Sequence, residues 1–249
     1  MKLVRLHQGA EHLLLIMGGW GTDARPFAHL AADGWEVWLA YDYGTAEASH
    51  GSTRPASSAP LSATESNSPS LQHTPLLEAI DWSHFRHHHL AAWSMGVWAA
   101  EALLAPHAWT SATAINGTPC PIDDLMGIPS AIAQGTLETL DDANLTRFER
   151  RMCGSRDQYD SYLKRQPQRS LESLKDELAW IIKHASHHTP TPHIQWTHAV
   201  IGTQDRIFPT TNQQRYWRST PTPTRLIEQP HYPFNSWTSF KQLAQDSGN

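Results

Sequence analysis

Ser94 stands where a strand-like run, 87–93, meets a strongly helical one, 97–105. Ala92 lies two residues before it and Gly96 two after it. A chain that turns this sharply from strand to helix crowds its own backbone, so small residues are needed at both flanking positions. The turn lifts the serine hydroxyl to a helix N-terminus, where the backbone N–H of Met95 points at any negative charge developing on a bound carbonyl oxygen. That chemistry is nucleophilic attack on an acyl group. A serine N-cap of an ordinary helix would look similar locally, so the partners of Ser94 decide between the two.

A serine nucleophile needs a base, and the base needs an acid to orient it. The segment Gly202-Thr203-Gln204-Asp205 follows a strand-like run, with Pro209 four residues after Asp205. A carboxylate in such a loop can hold an imidazole and stabilise its protonated form. His231 lies between Pro230 and Pro233 at the end of the last strand-like run. The chain has sixteen histidines, and only this one sits on so constrained a loop in the place a general base should occupy. The expected oxyanion donors are the backbone N–H groups of Met95 and Trp20. Trp20 lies in the glycine-rich stretch Gly18-Gly19-Trp20-Gly21 after the first central strand, and its ring is expected to line the acyl pocket.

The elements that must position these residues follow from periodicity. Short apolar or alternating runs predict strands over 13–17, 35–41, 87–93, 110–116, 194–201 and 224–228. Helical periodicity is expected over 25–32, 97–105, 210–217 and 235–245. Asp42-Tyr43-Gly44 reads as a turn closing a strand. Strands alternating with helices imply a mainly parallel sheet covered on both faces. Residues 118–189, mostly helical, interrupt that alternation and read as a lid over the strand ends. The core is then 1–117 with 190–249. Within it, 44–75 is rich in Ser, Thr, Ala and Pro and reads as a flexible surface insertion. The order Ser, Asp, His along such a chain is that of the α/β-hydrolase fold, not of the chymotrypsin or subtilisin folds.

Composition narrows the function classes. At 249 residues, the chain suits one sizeable domain. A net charge of −5 argues against nucleic acid as a general partner. Two cysteines are too few for a disulfide framework, so a reducing, cytoplasmic setting is expected. The basic start at Lys2 and Arg5 is followed by an apolar run too short for a signal peptide, and no stretch is long enough to span a bilayer. His87, His88 and His89 resemble a metal cluster, but strand alternation sends the middle one to the opposite face, and no carboxylate or thiol accompanies them. No metal site is expected there. His187, His188 and His193 are expected at the surface.

The chain resembles the BioG-type pimeloyl-[acyl-carrier protein] methyl ester esterases. The resemblance rests on Gly19-Trp20-Gly21-Thr22-Asp23, Ala92-Trp93-Ser94-Met95-Gly96-Val97-Trp98-Ala99, Asn116-Gly117-Thr118-Pro119, Gly202-Thr203-Gln204-Asp205 and Pro230-His231-Tyr232-Pro233-Phe234. The Gly-Trp-Gly and Trp-Ser-Met-Gly pieces are also similar to BioH-type enzymes. The resemblance implies hydrolysis of the methyl ester of pimeloyl-acyl-carrier protein in biotin synthesis, with no metal or organic cofactor. It also implies an acidic carrier protein as partner. Between 147 and 169, seven basic residues (Arg147, Arg150, Arg151, Arg156, Lys164, Arg165 and Arg169) face only three acidic ones. Arg147, Arg150 and Arg151 are spaced to share one helix face and form the expected carrier dock, with Leu145, Phe148 and Met152 on the core side. Two other classes remain open: a thioesterase or carbon–carbon bond hydrolase with the same triad, and a binding protein on an inactive hydrolase scaffold.

Overall fold

The structure, a computed structural model, describes residues 1–46, 79–187 and 191–245. Its centre is a seven-stranded sheet in the order β1-β3-β2-β4-β5-β6-β7. The strands are β1 (Lys2–His7), β2 (His12–Met17), β3 (Glu36–Tyr41), β4 (His87–Trp93), β5 (Ser111–Ile115), β6 (His198–Gly202) and β7 (Thr224–Ile227). Only β1 runs antiparallel to its neighbour; the other pairings are parallel. Leu13–Met17 and all of β5 are buried on consecutive residues, as happens when both faces of a parallel sheet are covered. Helix α1 (Gly96–Leu103) packs on β2 and β4, and α6 (Thr210–Arg218) on β6 and β7. Helix α7 (Phe240–Gln245) packs on β4 and β5.

Between β5 and β6 come four helices: α2 (Ser130–Glu138), α3 (Asp142–Cys153), α4 (Arg156–Leu163) and α5 (Leu171–His187). Each start of α3 and α4 is capped by the residue before it. The Asp141 carboxylate accepts from Asn144 N–H, and the Ser155 hydroxyl from Gln158 N–H. Apart from Gly44–Ala46, in the 3-10 turn Tyr43–Ala46, the expected insertion 44–75 lies outside the described residues. Among the described residues no helix is long and apolar enough to cross a membrane.

Several expected elements differ. β1 escapes the periodicity argument because it is a half-buried edge strand carrying Lys2 and Arg5, residues that keep an edge from pairing with other chains. The helix expected over 25–32 shrinks to a 3-10 turn, Arg25–Phe27, because Ala31 is drawn into a β-bridge with Ser239. The same bridge shortens the last expected helix to Phe240–Gln245. The strand expected from 194 begins only at His198. The buried Glu101 carboxylate captures the preceding loop, accepting from the backbone N–H groups of His193 and Ile194 and from the Trp196 indole. His193 is therefore not a free surface side chain; its ring lies 3.2 Å from Glu101. Asp42 is no plain turn residue either. It has a positive φ of 55° and is buried in ion pairs with Lys2 and Arg169.

The histidine run resolves by alternation. His88 faces His107, 2.7 Å away, while His89 on the other face meets His12. The direction of bonding follows from its end point. Ser111 donates to the Ala244 carbonyl, so it accepts from His89 Nδ1–H at 2.7 Å. His89 Nε2 then accepts from His12 Nδ1–H at 3.1 Å. This chain works only with a neutral His89 ring, whose Nε2 must keep its lone pair. Burial, and then the charges of His12, His87 and His88, push His89 down to about 4; His12 is also lowered, by burial and by His87. Above the ordinary histidine pKa, near 6.5, folded and unfolded His89 are both neutral. As the pH falls from there towards 4, the unfolded chain takes up a proton that the folded chain refuses, so stability is lost across that window. The melting temperature of wild type is expected to fall more steeply between pH 6.5 and 4 than that of His89→Gln. Equal slopes would show that this cluster does not govern acid stability.

Candidate active site

Ser94 extends the β4 ladder by one bond, its N–H donating to the Ile115 carbonyl at 2.8 Å, and then the chain breaks into α1. The serine has φ 57°, a left-handed conformation that a side chain tolerates only when its surroundings enforce it. Gly96 makes the turn possible: a Cβ there would lie 2.2 Å from the Met17 carbonyl oxygen. The result is a hydroxyl raised on a strained turn, 5% exposed, at the C-terminal end of the sheet.

The three side chains singled out in sequence meet there. His231 Nε2 is 3.0 Å from Ser94 Oγ, and His231 Nδ1 is 2.8 Å from Asp205 Oδ2. Asp205 is fixed further by three donors. The N–H groups of Ile207 and Phe208 bond Oδ1, and Gln213 Nε2 bonds Oδ2 at 3.0 Å. The His231 loop is also tied down through its backbone. Asn116 Nδ2 donates to the carbonyls of Pro230 and His231, and Asn116 Oδ1 accepts from Gly202 N–H. The Trp93 indole donates to the His231 carbonyl at 2.9 Å. Neither Gln213 nor the clamp by Asn116 and Trp93 was evident from sequence. The one available signal was the Asn-Gly pair at 116–117, since asparagine tolerates the positive φ of 47° found at Asn116.

The loop after β2 passes over the serine: a Cβ on Gly19 would sit 3.1 Å from Ser94 Cβ. Among the described residues, the backbone N–H groups of Trp20 and Met95 have no hydrogen-bond partner. Both residues are buried beside Ser94. Two unpaired N–H groups in such a place suit an oxygen that gains negative charge.

Ser94 and His231 open into a narrow, mainly apolar cleft bounded by Trp20, Met95, Ile128, Ile132, Leu178 and Ile207. Beside it lies a more polar chamber of about 180 Å³. Trp20, Trp93, Phe148 and Met152 face both spaces, and the Trp20 and Phe148 rings meet edge to face, 5.1 Å apart. In the chamber the buried Glu149 carboxylate accepts from the Tyr162 hydroxyl and from Gln166 Nε2. Burial and the adjacent carboxylate push the Tyr162 phenol far above its ordinary range.

The basic residues divide. Arg147 and Arg151 are exposed along a surface groove between α2 and α3 that also contains Ile132, Thr136 and Phe148. Arg151, Ile132, Thr136 and Phe148 border the serine cleft too, so the groove leads into it. Arg150 does not share that face. It points to the α4 side, with its guanidinium 5.4 Å from the Tyr159 ring centre. One step along a helix rotates the side chain by about 100°, enough to send Arg150 and Arg151 to different surfaces. Arg169 leaves the basic face altogether, buried between Asp42 and Glu177. Arg165 is half-buried on Asn235. Leu145, Phe148 and Met152 do face the interior chambers.

Comparison with known proteins agrees with this architecture. An esterase from Exiguobacterium antarcticum, 13% identical, superposes with a TM-score of 0.65 over 94% of this chain and 89% of its own, which speaks for the fold alone. The crystal structure of BioG from Haemophilus influenzae matches at a TM-score of 0.80 and 32% identity, over 98% of this chain and 100% of that one. A malonyl-[acyl-carrier protein] O-methyltransferase from Bacteroides fragilis is 36% identical over 224 residues. Those residues are 89% of this chain and 40% of that longer protein. The family model for pimeloyl-ACP methyl esterase BioG matches residues 71–243. The α/β-hydrolase sheet, the strained serine turn and these matches together place the chain in the BioG family of biotin synthesis.

Proposed function

We propose that the protein is a serine carboxylesterase that hydrolyses the methyl ester of pimeloyl-[acyl-carrier protein], releasing methanol and leaving the free carboxyl on the carrier-bound chain. The observation that carries this reading is the unbroken series from Asp205 through His231 to Ser94, at 2.8 and 3.0 Å, at the mouth of an apolar cleft. Ser94 Oγ attacks the ester carbonyl as His231 Nε2 takes its proton, and Asp205 stabilises the imidazolium. The Trp20 and Met95 N–H groups hold the oxyanion. Methanol departs with the proton from His231. Water, deprotonated by the same ring, then frees the acid. Every step uses groups of this chain, so no cofactor is required. Helices α2 to α5 act as the lid, since α2, α3 and α5 furnish half of the residues that line the cleft.

The groove argues for a carrier-bound substrate. A long acyl arm laid between α2 and α3 passes Arg147 and Arg151 and reaches Ser94 along Ile132 and Phe148. The name of the Bacteroides fragilis relative also couples an acyl carrier with O-methylation, the same chemical class of molecule. Arg150 lies outside this groove and contributes less to the dock. The substrate itself carries both a methyl ester and a thioester, so intact mass of the carrier separates the readings. Hydrolysis as proposed removes only the methyl group; loss of the whole acyl chain would make the protein a thioesterase. Charge reversal of Arg147 and Arg151 to Glu is expected to lower kcat/KM for the carrier-bound ester by about tenfold or more, and to spare a small free methyl ester. Arg150→Glu is expected to do much less. Added salt should weaken the first substrate alone. Equal responses of the two substrates would remove the carrier dock from this groove.

A further inference from the structure

The loop that carries Trp20 is gripped from outside the sheet by one buried carboxylate. Glu177, on α5, is fully buried. Its Oε2 accepts from Gly21 N–H at 3.0 Å and its Oε1 from Tyr43 N–H at 3.1 Å. Gly21 is the residue after Trp20 and has φ 79°, a conformation that leaves its N–H free to turn away from the loop and towards α5. Tyr43 in turn donates its hydroxyl to the Gly18 carbonyl at 2.7 Å. A second tie runs from the same helix, for the Trp20 indole donates to the Leu174 carbonyl at 2.8 Å. Arg169 completes the arrangement. Its guanidinium bonds Glu177 at 2.5 Å and Asp42 at 2.8 Å. Both ends of the Gly18–Gly21 segment are thus referred to one side chain, directly at Gly21 and through Tyr43 at Gly18.

We infer that Glu177 is a positioning residue for the oxyanion loop, holding the Trp20 N–H in line with Ser94 and coupling that alignment to α5. The inference rests on the reading of Trp20 N–H as an oxyanion donor. An oxyanion donor works only when its nitrogen lies about 2.7–3.1 Å from the place where charge develops, so a shift of a few tenths of an ångström matters. A carboxylate can accept from two N–H groups and a guanidinium at once. A carboxamide cannot, because its NH2 must face one of these donors. Glu177→Gln therefore unseats Gly21 or Tyr43 while keeping the side-chain volume.

The test uses the full chain and a small methyl ester, so that carrier docking plays no part. In Glu177→Gln, kcat is expected to fall about 10- to 100-fold with KM changed less than about twofold. The inhibition constant of an alkyl boronic acid, which binds serine as a tetrahedral anion, is expected to rise in step with the loss of kcat/KM. A merely structural role would lower the melting temperature without separating transition-state from ground-state binding. A kcat within about twofold of wild type, or parallel losses in KM and boronate affinity without a fall in kcat, overturns the inference. If Glu177→Gln does not fold, Arg169→Lys, which keeps a cation but loses the fork, is judged by the same split. Wild type that neither cleaves the ester nor binds the boronate would refute the esterase reading itself. An active, boronate-sensitive wild type matched by an equally active Glu177→Gln refutes only the role of Glu177.

Discussion

Ser94→Ala is expected to cut kcat by about 10⁶-fold, the scale seen when a serine nucleophile is removed from a complete triad. The reason lies in the geometry. Oγ is the only side-chain oxygen placed 3.0 Å from His231 Nε2 among the described residues, and an alanine methyl can neither lose a proton nor form an acyl bond. What remains is the small acceleration that the two N–H groups give to attack by water. The fold should be unaffected, since Ser94 makes its structural bonds through its backbone: its N–H to Ile115 and its carbonyl from Val97 N–H. A fluorophosphonate should label the wild-type peptide containing Ser94 and leave Ser94→Ala unlabelled. Retained turnover, or labelling at another residue, would remove Ser94 from the role of nucleophile.

Asp205→Asn is expected to lower kcat by about 10⁴-fold, as in comparable triads, while the protein stays folded. The surroundings of Asp205 dictate which way the new amide lies. The Oδ1 position receives two backbone N–H groups, from Ile207 and Phe208, so the asparagine oxygen must stay there. The NH2 group is left at the Oδ2 position, facing His231 Nδ1. As a donor, it stabilises the tautomer with the proton on Nε2, and that ring nitrogen can no longer accept from Ser94. The same NH2 also confronts the Gln213 amide, which donates to Oδ2 in the wild type. Stopped assays of kcat beside thermal melts measure the effect. A loss below about tenfold would mean that another acid orients His231.

The serine turn was legible in sequence because its constraints are local. A strand running straight into a helix, with small residues two before and two after the serine, follows from contacts the turn makes with its nearest neighbours. Asp205 and His231 were legible because each lies in a loop just past a strand, and a parallel sheet brings all such loops to one end. The buried strand β2 was legible for a related reason: solvent exclusion on both faces writes itself as the apolar run Leu13–Met17. Tertiary structure decided the rest. The support of Asp205 by Gln213, of the His231 loop by Asn116, and of Gly21 by Glu177 spans separations of 8, 114 to 115, and 156 residues. No local pattern encodes such partners, because a polar side chain reads the same whether it meets water or a buried N–H. The same indifference hid the burial of Arg169, which in sequence counted as one more surface charge. It also merged Arg150 with Arg147 and Arg151, three arginines that helical spacing places close together. The rotation from Arg150 to Arg151 is written in the helix, but only the placement of α2 and α4 beside different faces of α3 shows that the two face different grooves.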